Sequence, residues 1–182
     1  MTADPVQKLN RELGDWALIF IIITLAVRPL SEIFSRRELI NYRRMLGLFA
    51  FFYAFLHLTS YLAIDLELNW SDFLKDIIKR NYILVGLTTI VLMTPLAMTS
   101  NKKMIKLLGA SNWRRLHFLI YPIAIFGLVH FYMMVRADVS RPLGYAVIIL
   151  LLLAYRIWKK LTITKTNIQP QGSNKGAMQS FF

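Results

Sequence analysis

Residues 45–64 read MLGLFAFFYAFLHLTSYLAI, twenty consecutive positions without a Lys, Arg, Asp or Glu. A bilayer span needs roughly 17–25 mainly apolar residues, so this stretch alone argues for a membrane helix. It carries an imidazole, His57, deep inside. Tyr82–Met98 and Leu116–Val135 are equally free of charge, and the second of these holds His130 deep inside and His117 at its start. Trp16–Leu30 and Leu143–Trp158 are shorter, with Arg28 and Arg156 near one end. They become spans if those arginines snorkel and the helices extend into their flanks. The reading is an all-α, polytopic membrane bundle of five transmembrane helices.

The rest of the composition agrees. The 182 residues are 56% hydrophobic, with mean hydropathy +0.47, too apolar for an ordinary soluble domain. The chain has no Cys, which excludes disulfides, iron–sulfur clusters, thiol catalysis and covalent haem attachment. A polar stretch precedes the first span and no small-residue cleavage site follows it, so that span does not read as a cleaved signal peptide.

A net charge of +12 first suggests nucleic acid, but its distribution argues against that partner. Cations gather in the loop after the first span (Arg28, Arg36, Arg37, Arg43, Arg44), the loop after the third (Lys102, Lys103, Lys106, Arg114, Arg115) and the C-terminal segment (Arg156, Lys159, Lys160, Lys165, Lys175), beside only Glu32 and Glu38. This alternation is the positive-inside pattern. It places the N-terminus outside, the C-terminus in the cytoplasm and the protein among membrane lipid, with no role for nucleic acid.

Between the second and third spans, Trp70, Phe73, Leu74, Ile77 and Ile78 recur at helical spacing opposite Asp72, Lys75, Asp76 and Lys79. That pattern predicts a short amphipathic helix in the interface, capped by Asn69 or Ser71, a platform for a partner or a helix resting on headgroups. Ser100–Trp113 reads as a short basic loop with a helix stop at Gly109. Residues 1–161 form the membrane domain, and the polar segment 162–182 is expected to be a disordered cytoplasmic tail.

The histidines divide by depth. Helices two and four both start after arginine pairs, so at 1.5 Å per residue His57 lies about 20 Å and His130 about 22 Å from those pairs, and His117 only about 3 Å. His57 and His130 are matched at one level in the outer half of the membrane. An intramembrane ionisable residue is a functional candidate, and two at one depth suggest a shared metal. Zinc wants four N or S ligands, whereas a haem needs two imidazoles and a flat apolar slot. Ala50, Tyr53, Ala54, Ser60, Tyr61 and Gly127 are candidate walls. His117 and His130 are 13 residues apart, about 140° on a straight helix. A kink at Pro122 could still bring them to one surface. His117 is a candidate for a second haem or a flavin-side or quinone-side site, or an interfacial polar residue.

Arg43-Arg44-Met45-Leu46-Gly47-Leu48, Leu56-His57-Leu58-Thr59-Ser60-Tyr61 and Trp113-Arg114-Arg115-Leu116-His117, followed by Val129-His130-Phe131-Tyr132, resemble the haem-binding membrane subunits of bacterial periplasmic methionine-sulfoxide reductase systems. These form the MsrQ (formerly YedZ) family of the ferric-reductase-like transmembrane superfamily. The resemblance covers about Asp4 to Trp158. It implies an inner-membrane b-type cytochrome with haem b and FMN, the latter at no assigned position. The family's histidines carry over onto His57, His117 and His130. The resemblance also implies a quinone pool or a flavin reductase as electron donor. A periplasmic molybdopterin-containing subunit would accept the electrons and reduce methionine sulfoxide. The expected role is an electron-transfer subunit rather than the catalytic one. Family members usually have six helices, and this chain begins at what resembles the loop after the first. Arg11 stands where some relatives place a histidine.

Three rivals remain open at this stage, the last of them a haem-free membrane scaffold. One is another transmembrane haem reductase, acting on ferric iron or oxygen, although no G-x-G-x-x-G or nucleotide-binding domain is present. Another is a small channel or transporter subunit with the histidines as a proton relay, disfavoured by the absence of carboxylates within the second to fourth spans. Arg43, Arg44, Arg114 and Arg115 are candidates for a flavin phosphate or haem propionates, and equally topology determinants.

Overall fold

A computed structural model describes residues 5–135 and 139–168. Among these the elements are helices, in the order α1 (Pro5–Ile33), α2 (Leu39–Ser60) prolonged by a π-helical turn (Tyr61–Asp65), α3 (Trp70–Lys79), α4 (Asn81–Met98), α5 (Lys102–Leu108), α6 (Ala110–His117), α7 (Ile120–Met134) and α8 (Ser140–Ile168). Five of them are long and apolar enough to cross a membrane, counting α2 with its π-helical turn as one and α6–α7 as one. The chain is a polytopic all-α membrane protein.

α1 is the hub, packed on α2, α7 and α8, while α4 packs on α7. Its Leu18, Ile21, Ile22 and Leu25 meet Ala50 of α2, Met93 of α4, Ile120, Ile123 and Ala124 of α7 and Ile149 of α8. The outward faces stay apolar: Met45, Leu48, Phe49, Phe52 and Phe55 form an exposed stripe on α2. A helix apolar all round suits lipid on one side and protein on the other. The first and last spans extend well beyond their charge-free cores, as expected.

Two prolines shape the site. Pro122 has no N–H, and its ring clashes with the carbonyl four residues back, Phe118. The span therefore breaks at Phe118–Leu119, with tight bonds from Phe118 N to Arg115 O and from Leu119 N to Leu116 O, both 3.1 Å. Pro29 lies inside α1 and deprives the Leu25 carbonyl of its helical donor. Arg156 supplies the missing bond: Nη2 donates to Leu25 O at 2.7 Å, and Nη1 donates to Tyr121 O–H at 2.7 Å. Arg156 thus turns into the bundle rather than snorkelling as expected, because lipid offers that carbonyl no other partner. Arg28 behaves differently and pairs with Glu32, which also binds Lys159 and Tyr155.

The connections differ from the sequence expectation in two places. The basic segment after the third span is not a plain loop. Asn101 caps α5 by accepting from Met104 N at 2.7 Å, Gly109 at φ +76° ends it, and α6 starts at once. At the C-terminal end, α8 continues to Ile168, so residues 162–168 are helical rather than part of a disordered tail; no Pro or Gly stands between Leu161 and Pro170 to stop it. The remainder of that expected tail, 169–182, lies outside the described residues. α3 forms where the amphipathic pattern predicts it. Asn69 is its cap, accepting from Ser71 N and Asp72 N.

Candidate functional site

His57 on α2 and His130 on α7 face each other near the α3 end of the bundle, with ring centres 6.0 Å apart and planes at 79°. α2 packs chiefly on α1, and α7 chiefly on α4. The two histidines thus bridge a gap between helices that are not themselves a packed pair.

Each ring is held by a backbone carbonyl. His57 Nδ1 lies 2.9 Å from Asn10 O, and His130 Nδ1 lies 2.7 Å from Tyr82 O. A carbonyl oxygen only accepts, so Nδ1 carries the proton in both rings and Nε2 keeps its lone pair. That is the ligand-ready tautomer, with the Nδ1–H to carbonyl bond by which metal-binding histidines are oriented.

Glycine makes these bonds reachable. A Cβ on Gly14 would stand 3.2 Å from His57 Cε1, and one on Gly86 would stand 2.8 Å from His130 Cε1 and Nδ1. Gly14 follows Asn10 by four residues, and Gly86 follows Tyr82 by four. In an α-helix the residue at i+4 sits over the carbonyl of residue i, so a side chain there would block a ring approaching that carbonyl. α1 and α4 therefore use the same device, a helical carbonyl left open to a second donor beneath a glycine.

The spacing suits a metal between the rings. Two metal–imidazole bonds of about 2 Å each, plus about 1 Å from each nitrogen to its ring centre, give about 6 Å between centres. Among the described residues no group of three or more His, Asp or Glu could hold a metal ion. The donor set is two imidazoles, which is what a haem requires and a structural zinc does not accept.

His117 is elsewhere. It stacks on Trp113 with ring centres 3.9 Å apart, and its Nδ1 donates to Trp113 O at 3.0 Å. Trp113 Nε1 in turn donates to Thr99 O at 3.0 Å. The break before Pro122 does not bring His117 to the other two. It lines a separate cavity of about 290 Å³ at the arginine end, with Arg43, Arg44, Thr24, Ser100 and apolar side chains. No carboxylate lines this cavity. Arg114 and Arg115 are exposed and outside it.

The expected wall residues face other ways. Tyr53 stacks on Phe20 at 5.4 Å, Tyr61 O–H donates to Asp76, Gly127 faces Leu18 of α1, and Ala50 lines the arginine-end cavity. Ala54 packs against the hydrophobic core, and Ser60 donates to Asn10 Oδ1. The close neighbours of the rings are instead Gly14, Gly86, Asn10 and Tyr82. The one available signal was Gly86, a small residue in an otherwise bulky apolar span, where it permits close approach; Gly14 stands in the polar stretch before the first span and carried none.

Comparisons with known proteins place the chain in a family. The family described as "Ferric reductase like transmembrane component" matches residues 13–128. A protein of Xanthomonas campestris pv. campestris (strain 8004), described as "Protein-methionine-sulfoxide reductase heme-binding subunit MsrQ", is 46% identical over 164 residues, covering 90% of this chain and 75% of its own length. One of Rhodospirillum rubrum with the same description is 44% identical over 155 residues, covering 85% of this chain and 74% of its own. No solved structure matches. On these grounds the chain belongs to the ferric-reductase-like transmembrane family and, within it, to the MsrQ haem-binding subunits.

Proposed function

We propose that this protein is a b-type cytochrome subunit that carries electrons across a bacterial inner membrane to a periplasmic, molybdopterin-containing methionine-sulfoxide reductase subunit. The observation that carries the reading is the opposed pair His57 and His130, 6.0 Å apart with both Nε2 atoms left free by the Nδ1 bonds. The names of the relatives supply the haem and the reductase system. Haem b held there would supply one-electron storage. The chain's own work is to fix the two imidazoles, keep the site dry among apolar helices and set the donor strength of each ligand. The protein makes and breaks no substrate bonds itself. The positive-inside pattern puts the α3 end outside and the arginine end in the cytoplasm.

A site near one face leaves the other half of the membrane uncrossed. The cavity beside His117 fills that gap, extending inward to Ala50, seven residues and about 10 Å of helix rise from His57. His117 offers it a free Nε2, and Arg43 and Arg44 offer it guanidinium groups with no lining carboxylate to neutralise them. We assign this cavity to a second cofactor or the donor, a haem, the FMN implied by the resemblance, or a quinol, each flat and the first two anionic.

The test has two arms. Detergent-purified protein made with adequate haem should show a Soret band and a reduced-minus-oxidised b-type spectrum; no Soret band refutes the cytochrome assignment. With oxygen excluded, an excess of reduced protein should be reoxidised by a catalytic amount of the reductase subunit only when methionine sulfoxide is present. No reoxidation when both are present refutes the assigned partner.

A further inference from the structure

The two carbonyls that receive the imidazole N–H groups are themselves clamped. Asn10 is held by its side-chain amide: Oδ1 accepts from Ser60 Oγ at 3.1 Å and Nδ2 donates to Asp65 Oδ2 at 3.1 Å. Tyr82 is held by its phenol oxygen, which accepts from Arg80 Nη1 at 3.2 Å. Arg80 Nε pairs with Asp76 Oδ1 at 3.1 Å, and Asp76 Oδ2 accepts from Tyr61 O–H at 2.6 Å. Ser60 ends α2, and Tyr61 and Asp65 bound the π-helical turn after it.

The turn's geometry explains this double grip. Residues five apart stand about 140° apart on an α-helix. In a π-helix the hydrogen bonds run between residues five apart, which brings them towards one face; Leu66 N bonds Tyr61 O in this way at 3.1 Å. Ser60 and Asp65 can thus hold the same asparagine on α1 while Tyr61 reaches α3. On a continued α-helix one of the two would point away from Asn10.

We infer that the π-helical turn Tyr61–Asp65, together with Asn10, Asp76 and Arg80, is a positioning device for both haem ligands, fixing the Nδ1 acceptors of His57 and His130 and so the orientation and donor strength of the two imidazoles. The inference rests on the haem reading of that pair. A firm bond at Nδ1–H raises the basicity of the metal-binding nitrogen, and removing such outer partners changes metal affinity about 10- to 100-fold. A more basic imidazole favours the ferric state, so a slackened clamp raises the reduction potential. Each of these residues acts through a histidine.

The test uses the full chain, haem-loaded in detergent, with the midpoint potential and ferric electron paramagnetic resonance spectrum as readouts. Asp65 and Arg80 are exposed, so their replacement leaves the bundle intact. Asp65→Ala and Arg80→Ala should each retain haem, raise the potential by up to a tenfold change in ferric preference, about 59 mV for one electron, and shift the largest g value. Asp65→Asn keeps an acceptor for Asn10 Nδ2 and should retain wild-type values. Unmoved potential and spectrum in both alanine variants would overturn the inference. So would an equal displacement in Asp65→Asn, which would assign the effect to charge alone. Wild-type protein without haem would instead refute the reading on which the inference rests.

Discussion

Gly86→Ala adds one methyl group at the most crowded point of the site. Its Cβ would lie 2.8 Å from His130 Cε1 and Nδ1 and 3.4 Å from Nε2, about 0.6 Å short of ordinary contact at the nearest atoms. The ring must retreat by that amount or α4 must move. A retreat of 0.6 Å along the Nδ1–O direction would stretch the 2.7 Å bond to Tyr82 O past the usual hydrogen-bond limit of about 3.2 Å. A metal–nitrogen bond of about 2 Å has no slack to absorb the rest. Overpacking of this kind costs about 1–3 kcal/mol, which corresponds to roughly 5- to 140-fold weaker haem retention. Gly14→Ala is the internal comparison. Its Cβ would stand 3.2–3.3 Å from the His57 ring, a shortfall of a few tenths of an ångström that a small rocking of the ring relieves. It should cost less than about 1 kcal/mol. Alanine is the better helix former by roughly 0.5–1 kcal/mol, so neither variant should be lost through helix instability. The assay is haem per protein after purification, from the pyridine haemochrome, alongside the Soret position. Full haem content with an unchanged spectrum in Gly86→Ala would refute the glycine-seat reasoning, as would a larger loss in Gly14→Ala.

The histidines should separate functionally. His57→Ala or His130→Ala abolishes the haem at the α3 end, whereas His117→Ala leaves it largely intact; equal loss in all three variants contradicts the division between the pair and the arginine-end cavity. Arg156→Met leaves the Leu25 carbonyl without a donor and should cost about 1–3 kcal/mol, read as a lower midpoint of thermal unfolding in detergent. In a Pro29→Ala background the helix supplies its own N–H to that carbonyl, so the same substitution should cost measurably less. Equal costs in the two backgrounds would show that Arg156 acts some other way. Asn69→Ala removes the acceptor for Ser71 N and Asp72 N and should destabilise α3 by about 1 kcal/mol; faster amide exchange confined to residues 70–79 is the expected signature, and exchange spread through the bundle the contrary one.

The spans and the histidine pairing were legible in the sequence for a simple reason. Charge-free runs of span length have few soluble interpretations, and arginine pairs at the start of two spans set a common origin for depth. Backbone chemistry was not legible. The acceptors of His57 and His130 are carbonyls of Asn10 and Tyr82, groups every residue has, selected only by how four helices pack. Arg156 resembles any snorkelling arginine until α1 is placed beside it and the carbonyl orphaned by Pro29 comes into view. Tyr53 and Gly127 had the size expected of a haem wall but face α1, because helical phase at a packed hub decides which side a residue serves. α5 was concealed by its own basic residues, although Asn101 stood at the cap position.

The central claim is that one haem iron sits between His57 and His130 with their Nε2 atoms as its two axial ligands. Low-temperature electron paramagnetic resonance of the oxidised, purified protein tests it most directly. Six-coordinate ligation by two imidazoles whose planes stand near 79° predicts a low-spin ferric signal of large anisotropy, lost in either His57→Ala or His130→Ala. A haem signal that is high-spin in the wild-type protein, or low-spin and unchanged in both variants, would contradict the account.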